Sequence, residues 1–258
     1  MRILMYVILG LVFSCAFLIT TVPAQTVAEI TAQSDSIADV AFQNKPALDI
    51  LSTAADKYPG NYNIVWRLSR TYSDMGAAIN AISDEQKTQQ LELYEKSLDY
   101  ANQAIAANPE GSMGYTRRAI ANGRIALFKG VWESIDLVKQ VKHDCEKAIE
   151  LDTTNSLAYY IYGRTHAKVS EKPKLFRWPL GLGWGNIDEA IKNFEIAISL
   201  RPNYIMYRLD AAKAYIEEDE YEKARAHLNA ISTIPKAYQL DDDSRKEATE
   251  LLEKIKNK

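Results

Sequence analysis

Small, bulky and turn-forming residues return along the chain in one fixed order. A small residue is followed four positions later by a larger apolar one, then three later by a small one, then five later by Pro or a turn residue. The copies are Ala47-Leu51-Ala54-Pro59, Ser97-Ala101-Ala104-Pro109, Val141-Cys145-Ala148-Thr153, Ala190-Phe194-Ala197-Pro202 and, more loosely, Ala224-Leu228-Ile231-Pro235. Steps of four and three keep to one face of an α-helix. The small members let a neighbouring helix approach, the bulky one fills the gap between helices, and Pro stops the helix. Such helices cannot bury their apolar faces alone, so the pattern predicts a stack in which each unit covers the next.

This order resembles the second helix and terminating turn of the tetratricopeptide repeat (TPR). The resemblance implies an all-α fold, a right-handed TPR-like solenoid of about five helix pairs plus a C-terminal capping helix. TPR spacing also implies a first helix whose small residue lies twelve positions before the second helix's first small residue. Ala212 and Ala224 meet that spacing. In three central copies the gap is longer: Ser69 to Ser97, Ala119 to Val141, and Gly163 to Ala190. The excess predicts insertions near 75–90, 124–135 and 171–187, all on one edge of the stack. The expected pairs are 26–59, 61–109, 111–153, 155–202 and 203–236. Ile30, Ile37, Val40 and Ala41 form the first apolar stripe, and Asp241-Asp242-Asp243-Ser244 can cap a final helix carrying Ala248, Leu251, Leu252 and Ile255.

The N-terminus adds a different signal. Arg2 precedes an uncharged run from Ile3 to Val22, and Val22-Pro23-Ala24 offers small residues for cleavage. This reads as a signal peptide over 1–24, or as a membrane anchor over 3–22, with the solenoid over 25–258. The expected localisation is accordingly exported, periplasmic or secreted. Beyond residue 24 one cysteine remains, Cys145, at a bulky packing position, so it is expected to fill core space. A net charge of −3 gives no electrostatic support for nucleic-acid binding.

A narrower resemblance rests on Trp66-Arg67-Leu68-Ser69-Arg70, then a long insertion, then Cys145-Glu146-Lys147-Ala148-Ile149-Glu150-Leu151. An insertion rich in Trp, Pro and basic residues follows, and then Asp188-Glu189-Ala190-Ile191-Lys192-Asn193-Phe194. Over about 60–240 this order looks like the regulator of microtubule dynamics family. The resemblance implies a TPR-like architecture and a non-enzymatic role. Eukaryotic members are linked to microtubules and to membrane-anchored roles at organelles. The export-type N-terminus argues against carrying the microtubule role over.

No HExxH, CxxC, GxSxG or phosphate-loop motif occurs. His143, His166 and His227 fall on three different repeats, so no metal site and no cofactor are expected, and His166 is expected in the core. Gly181-Leu182-Gly183-Trp184-Gly185 follows no predicted strand and reads as a connector. By the TPR resemblance, first helices line a concave groove, and turn-spaced pairs such as Trp66/Arg70, Thr116/Ile120, Tyr160/Arg164 and Leu209/Lys213 point into it. The strip Trp66, Arg70, Tyr160, Arg164 and Lys213 suits an acidic peptide or a carboxylate. The competing reading pairs these cations with nearby acids such as Asp74 or Asp210. The insertion 171–187 supplies a second candidate edge, Arg177, Trp178 and Trp184, with Phe176, Lys172 and Lys174 beside it. Its aromatics either face a partner or an anionic membrane, or pack back on the solenoid; the need to anchor so long an insertion favours packing. The leading expectation is a non-catalytic scaffold that binds a peptide or protein in its groove, with oligomerisation left open. The alternative is a small-molecule-binding accessory protein of a transport system, of the TRAP-associated TPR type, which would require the insertions to seal the groove.

Overall fold

The computed structural model describes residues 25–258, which form twelve α-helices and, among those residues, no strand. Five of the twelve helices start where a side chain replaces a missing backbone partner. Thr26 opens α1 (Val27–Asp35) with a capping box: its hydroxyl accepts the Glu29 backbone N–H, and the Glu29 carboxylate accepts that of Thr26. Ser83 and Gln86 repeat the device at α4 (Asp84–Ala107). Asn61, Asn155 and Asn186 cap α3 (Tyr62–Ala78), α7 (Ser156–Ser170) and α9 (Ile187–Leu200). The other helices are α2 (Asn44–Lys57), α5 (Ser112–Lys129), α6 (Ile135–Leu151), the short α8 (Lys174–Arg177), α10 (Ile205–Glu217), α11 (Tyr221–Ile231) and α12 (Asp241–Ile255).

The pairs are α1/α2, α3/α4, α5/α6, α7/α9 and α10/α11, and α12 covers the last. This is a TPR-like helical solenoid of five pairs with a capping helix. The small positions do what their spacing predicts. Ala47, Ala101, Ala104, Ala148, Ala190, Ala197 and Ala224 have no exposed surface. Between α3 and α4 the contact is so close that Ser69 and Ser97 each donate a hydroxyl hydrogen bond to the other's carbonyl, both at 2.8 Å. Between α7 and α9, a Cβ on Gly163 would lie 2.8 Å from the Phe194 ring, so only glycine fits. Cys145 is fully buried, and burial pushes its thiol well up. Arg118, at a place where an apolar residue is usual, grips the fully buried Asp144 with two hydrogen bonds of 2.8 and 2.7 Å.

Two local departures follow from backbone geometry. α1 runs into a π-helical turn over Ser36–Val40, which rotates the apolar face and leaves Val40 74% exposed instead of in the first stripe. The predicted acidic cap of α12 takes another form: Asp241 is the first helical residue, and its buried carboxylate accepts the backbone N–H groups of Ala237 and Tyr238, both at 2.8 Å.

The insertions lengthen helices or form compact turns. Residues 75–90 end α3, cross a short loop and begin α4 early, while 124–135 extend α5 to a Gly130 turn and a 3-10 turn over Val131–Glu133. Residues 171–187 hold α8 and a 3-10 turn over Trp178–Leu180. The signal-peptide and anchor expectations fall on residues 1–24, outside the described residues.

Candidate functional site

The inner faces of α3, α5, α7 and α10 surround one cavity of about 860 Å³. Each helix contributes residues spaced by about one turn: Trp66, Arg70 and Asp74; Arg117, Ile120 and Arg124; Tyr160 and Arg164; Asp210, Lys213 and Glu217. Arg201 and Tyr204 enter from the turn before α10, and Ala237 and Tyr238 from the loop before α12.

That last loop bridges the groove. Tyr238 donates its hydroxyl hydrogen bond to the Asp74 carboxylate at 3.2 Å, and Gln239 donates to the Asp74 carbonyl at 2.9 Å. Asn44 in turn donates to the Gln239 side chain at 3.0 Å. The loop joining the last repeat to the cap thus touches the first two repeats. Asp241 holds the loop in place through the bonds to Ala237 and Tyr238. This clasp bridges the two ends of the stack beside the cavity, while Leu127 and Val131 of the 124–135 insertion line another part of its wall.

All five residues expected in the groove, Trp66, Arg70, Tyr160, Arg164 and Lys213, line this cavity. Their charges, however, are engaged within the protein. Arg70 is buried and pairs with Asp35 at 2.8 Å and Asp39 at 3.1 Å, rather than with Asp74. Burial opposes ionisation of Asp35, but hydrogen bonds and charge from Arg67 and Arg70 outweigh it, so the carboxyl sits below its usual range. Arg164 and Lys213 both reach Asp210, at 3.2 and 3.4 Å, and Lys213 also reaches Glu247 at 2.8 Å. Tyr160 donates its hydroxyl to Asp210 at 2.8 Å, with its ring packed between Phe194 and Tyr207.

Three further cations on the wall form no ion pair among the described residues: Arg117, Arg124 and Arg201. The Arg117 guanidinium lies 5.6 Å from the centre of the Trp66 ring, and its Nε is buried with no hydrogen-bond partner. Burial, and then the charge of Arg70, pull its pKa down to about 10, so it stays cationic at neutral pH. Arg124 lies over Tyr94, and Arg201 lies over Tyr204 at 4.4 Å. Asp74 faces this group; the enclosed site strips away bulk water and raises its carboxyl pKa despite the nearby arginines. Of the expected α5 pair Thr116/Ile120 only Ile120 lines the cavity, and Arg117 and Arg124 share its face. Arg117 and Arg124 stand seven residues apart, two helical turns, which was the available signal.

The second expected edge is divided by the structure. Arg177 is buried and donates to the carbonyls of Lys172, Leu182 and Gly185 at 2.8, 3.1 and 2.6 Å, so it faces inward and binds the insertion to itself. Trp184 is partly buried edge-on against His166. Phe176 and Trp178 do not pack back; they are exposed, because the fully buried Leu182 anchors the insertion beside Val169 and Val138 instead.

A sequence profile of the family described as "Regulator of microtubule dynamics protein 1-3" matches residues 30–256. The chain belongs to this family. Regulator of microtubule dynamics protein 2 of Mus musculus is 26% identical over 216 residues, covering 81% of this chain and 52% of that protein. Protein 3 of Rattus norvegicus is 26% identical over 229 residues, with 85% and 47% covered. Protein 1 of Bos taurus is 27% identical over 204 residues, with 76% and 62% covered. The chain spans about half the length of the curated relatives it matches.

Membership corrects the expected localisation. An exported, periplasmic or secreted protein was inferred from residues 1–24 alone, whereas these relatives are animal proteins named for regulating microtubule dynamics. A bacterial-type export route does not fit that family, and the inference is withdrawn. Among the described residues, no helix is long and apolar enough to cross a membrane. Solved structures agree on the fold. A thermophilic TPR protein of Thermus thermophilus superposes with a TM-score of 0.64 at 16% identity, covering 87% of this chain and 98% of that one. The Cut9–Hcn1 hetero-tetramer of the APC/C gives 0.57 at 14% identity, covering 85% and 36%. The fold is that of a TPR-like helical solenoid.

Proposed function

We propose that this regulator of microtubule dynamics relative is a non-catalytic scaffold whose partly enclosed cavity receives an acidic segment of a protein partner. The observation that carries this reading is the trio Arg117, Arg124 and Arg201, cations on the cavity wall that form no ion pair among the described residues. Guanidinium groups held in a partly enclosed site bind carboxylates strongly, because little solvent competes and the forked donors are already oriented. Arg70, Arg164 and Lys213, neutralised by Asp35, Asp39, Asp210 and Glu247, shape the wall and hold the helices in register. Trp66, beside Arg117, supplies an apolar face for the neighbouring side chains of the segment.

Fluorescent peptides of acidic, neutral and basic composition, followed by anisotropy against the full chain, test this reading. Acidic peptides should bind selectively, bind less well as salt is raised, and lose about tenfold or more in affinity in an Arg117→Glu/Arg124→Glu variant. Acidic peptides that bind the variant as well as the wild type, or bind neither, would sink it. The clasp favours one second reading, a small anionic molecule enclosed in the same cavity. Thermal stabilisation by small carboxylates or phosphates, with no peptide binding, would select it. The transport-system setting of that reading draws no support from the relatives.

A further inference from the structure

From 172 to 187 the chain contains no acidic residue but three cations, Lys172, Lys174 and Arg177. Arg177 is turned inward, so the charge shown to solvent comes from the two exposed lysines. Glu171, just before the stretch, is paired with Lys168 at 2.8 Å. Between and beside the lysines, Leu175 is 80% exposed, Phe176 68% and Trp178 71%, and Leu180 is also exposed. Single exposed apolar residues are ordinary. Four large ones within six positions of one short turn are not.

The tip is also rigid from within. Arg177 ties the carbonyls of Lys172, Leu182 and Gly185 together, Leu182 is fully buried, and Trp178 leans on Gly183, where a Cβ would lie 2.8 Å from its ring. The backbone that carries the apolar side chains is therefore already ordered before binding, leaving only their rotamers to be fixed.

We infer that the 172–180 tip is a peripheral docking element for an anionic lipid surface, with Leu175, Phe176, Trp178 and Leu180 entering the interfacial layer and Lys172 and Lys174 resting on headgroups. Charge complementarity selects the occupant: a basic tip free of acids suits an anionic surface and repels a second copy of itself. Its shape points the same way. A projecting turn needs no complementary groove in a lipid interface, and tryptophan favours the headgroup level, where its ring is half apolar and half wet.

The test uses the full chain with phosphatidylcholine vesicles, with and without phosphatidylserine. Co-sedimentation is expected only with phosphatidylserine, weakening as salt is raised. Phe176→Ser/Trp178→Ser should lower it about tenfold or more, while helical circular dichroism stays unchanged because both side chains are exposed. Brominated lipids in the same vesicles report which tryptophan enters: they should quench the wild type, and Trp178→Phe should remove that quenching. Failure of the wild type to bind phosphatidylserine vesicles overturns the inference. So does wild-type binding by the double variant, or quenching unchanged by Trp178→Phe, since another segment would then be the contact. Self-association lost in the double variant, without vesicle binding, overturns it in favour of a second copy.

Discussion

His166 stands where the tetratricopeptide pattern ordinarily places a packing tyrosine, and it behaves as one. It is buried, meets the edges of Tyr162 and Trp184, and neither ring nitrogen has a hydrogen-bond partner. Burial lowers its pKa; the charges of Lys142 and Arg177 press the same way, against Glu189 and Glu146. A histidine kept neutral in the fold binds its proton better once unfolded. Its contribution to stability is therefore intact above the ordinary value of 6.5 and drains as pH falls below it. The melting temperature should drop more steeply on acidification from pH 6.5 in the wild type than in His166→Phe. Parallel pH profiles for the two would show that the imidazole carries no such linkage. Asp35 adds a separate loss at lower pH. Its depressed pKa makes a contribution that is complete above the ordinary value of 3.8 and fades as pH falls through the folded-state value.

At the scale of elements, the 171–187 insertion is organised around one side chain. Arg177 donates to three backbone carbonyls of the turn, of which only that of Leu182 also accepts a backbone N–H, from Gly185; charged donors of this kind are worth about 1.5–3 kcal/mol each. Arg177→Met should therefore loosen the insertion by about 3 kcal/mol or more locally. The check is amide exchange, faster over 172–185 and unchanged over α9 and α10; unchanged exchange throughout would show that Leu182 alone holds the turn. What could be read beforehand divides along the same line. The second helices, their partners and the cap were legible because small-bulky-small spacing maps directly onto a packed helical face, as Ala47, Cys145 and Ala197 show. The role of Arg177 was not, because a cation inside a turn is invisible without the carbonyls around it. Arg117 was missed for a related reason: an error of one residue in the inward register moves a helical side chain by about 100°. The strip named from the TPR resemblance did come together on one cavity, and Asp210, the competing partner the sequence offers, holds Arg164 and Lys213, whereas the Arg70 pair with Asp35 depends on a helix adjacent only in space.

For the whole molecule, the contact between Gln239, Asn44 and Asp74 matters most. It joins residues separated by 195 and 165 positions in the chain, and no periodic pattern announces it. Gln239→Ala removes both bonds, a loss of about 1–3 kcal/mol. We expect a lower melting temperature, a larger radius of gyration in small-angle scattering, and faster exchange over 235–240. A variant as compact and stable as the wild type would show that packing of Tyr238 is sufficient to hold the ends of the stack together.

Solenoids ordinarily change length by gaining or losing repeats, since each unit deals only with its neighbours and the ends are free. Here the ends are neighbours too. One more helix pair, or one fewer, would carry Gln239 and Tyr238 away from Asn44 and Asp74 and leave the ring unable to meet itself. The clasp therefore sets a copy number, making five pairs a condition of closure, whereas an open spiral would be indifferent to the count.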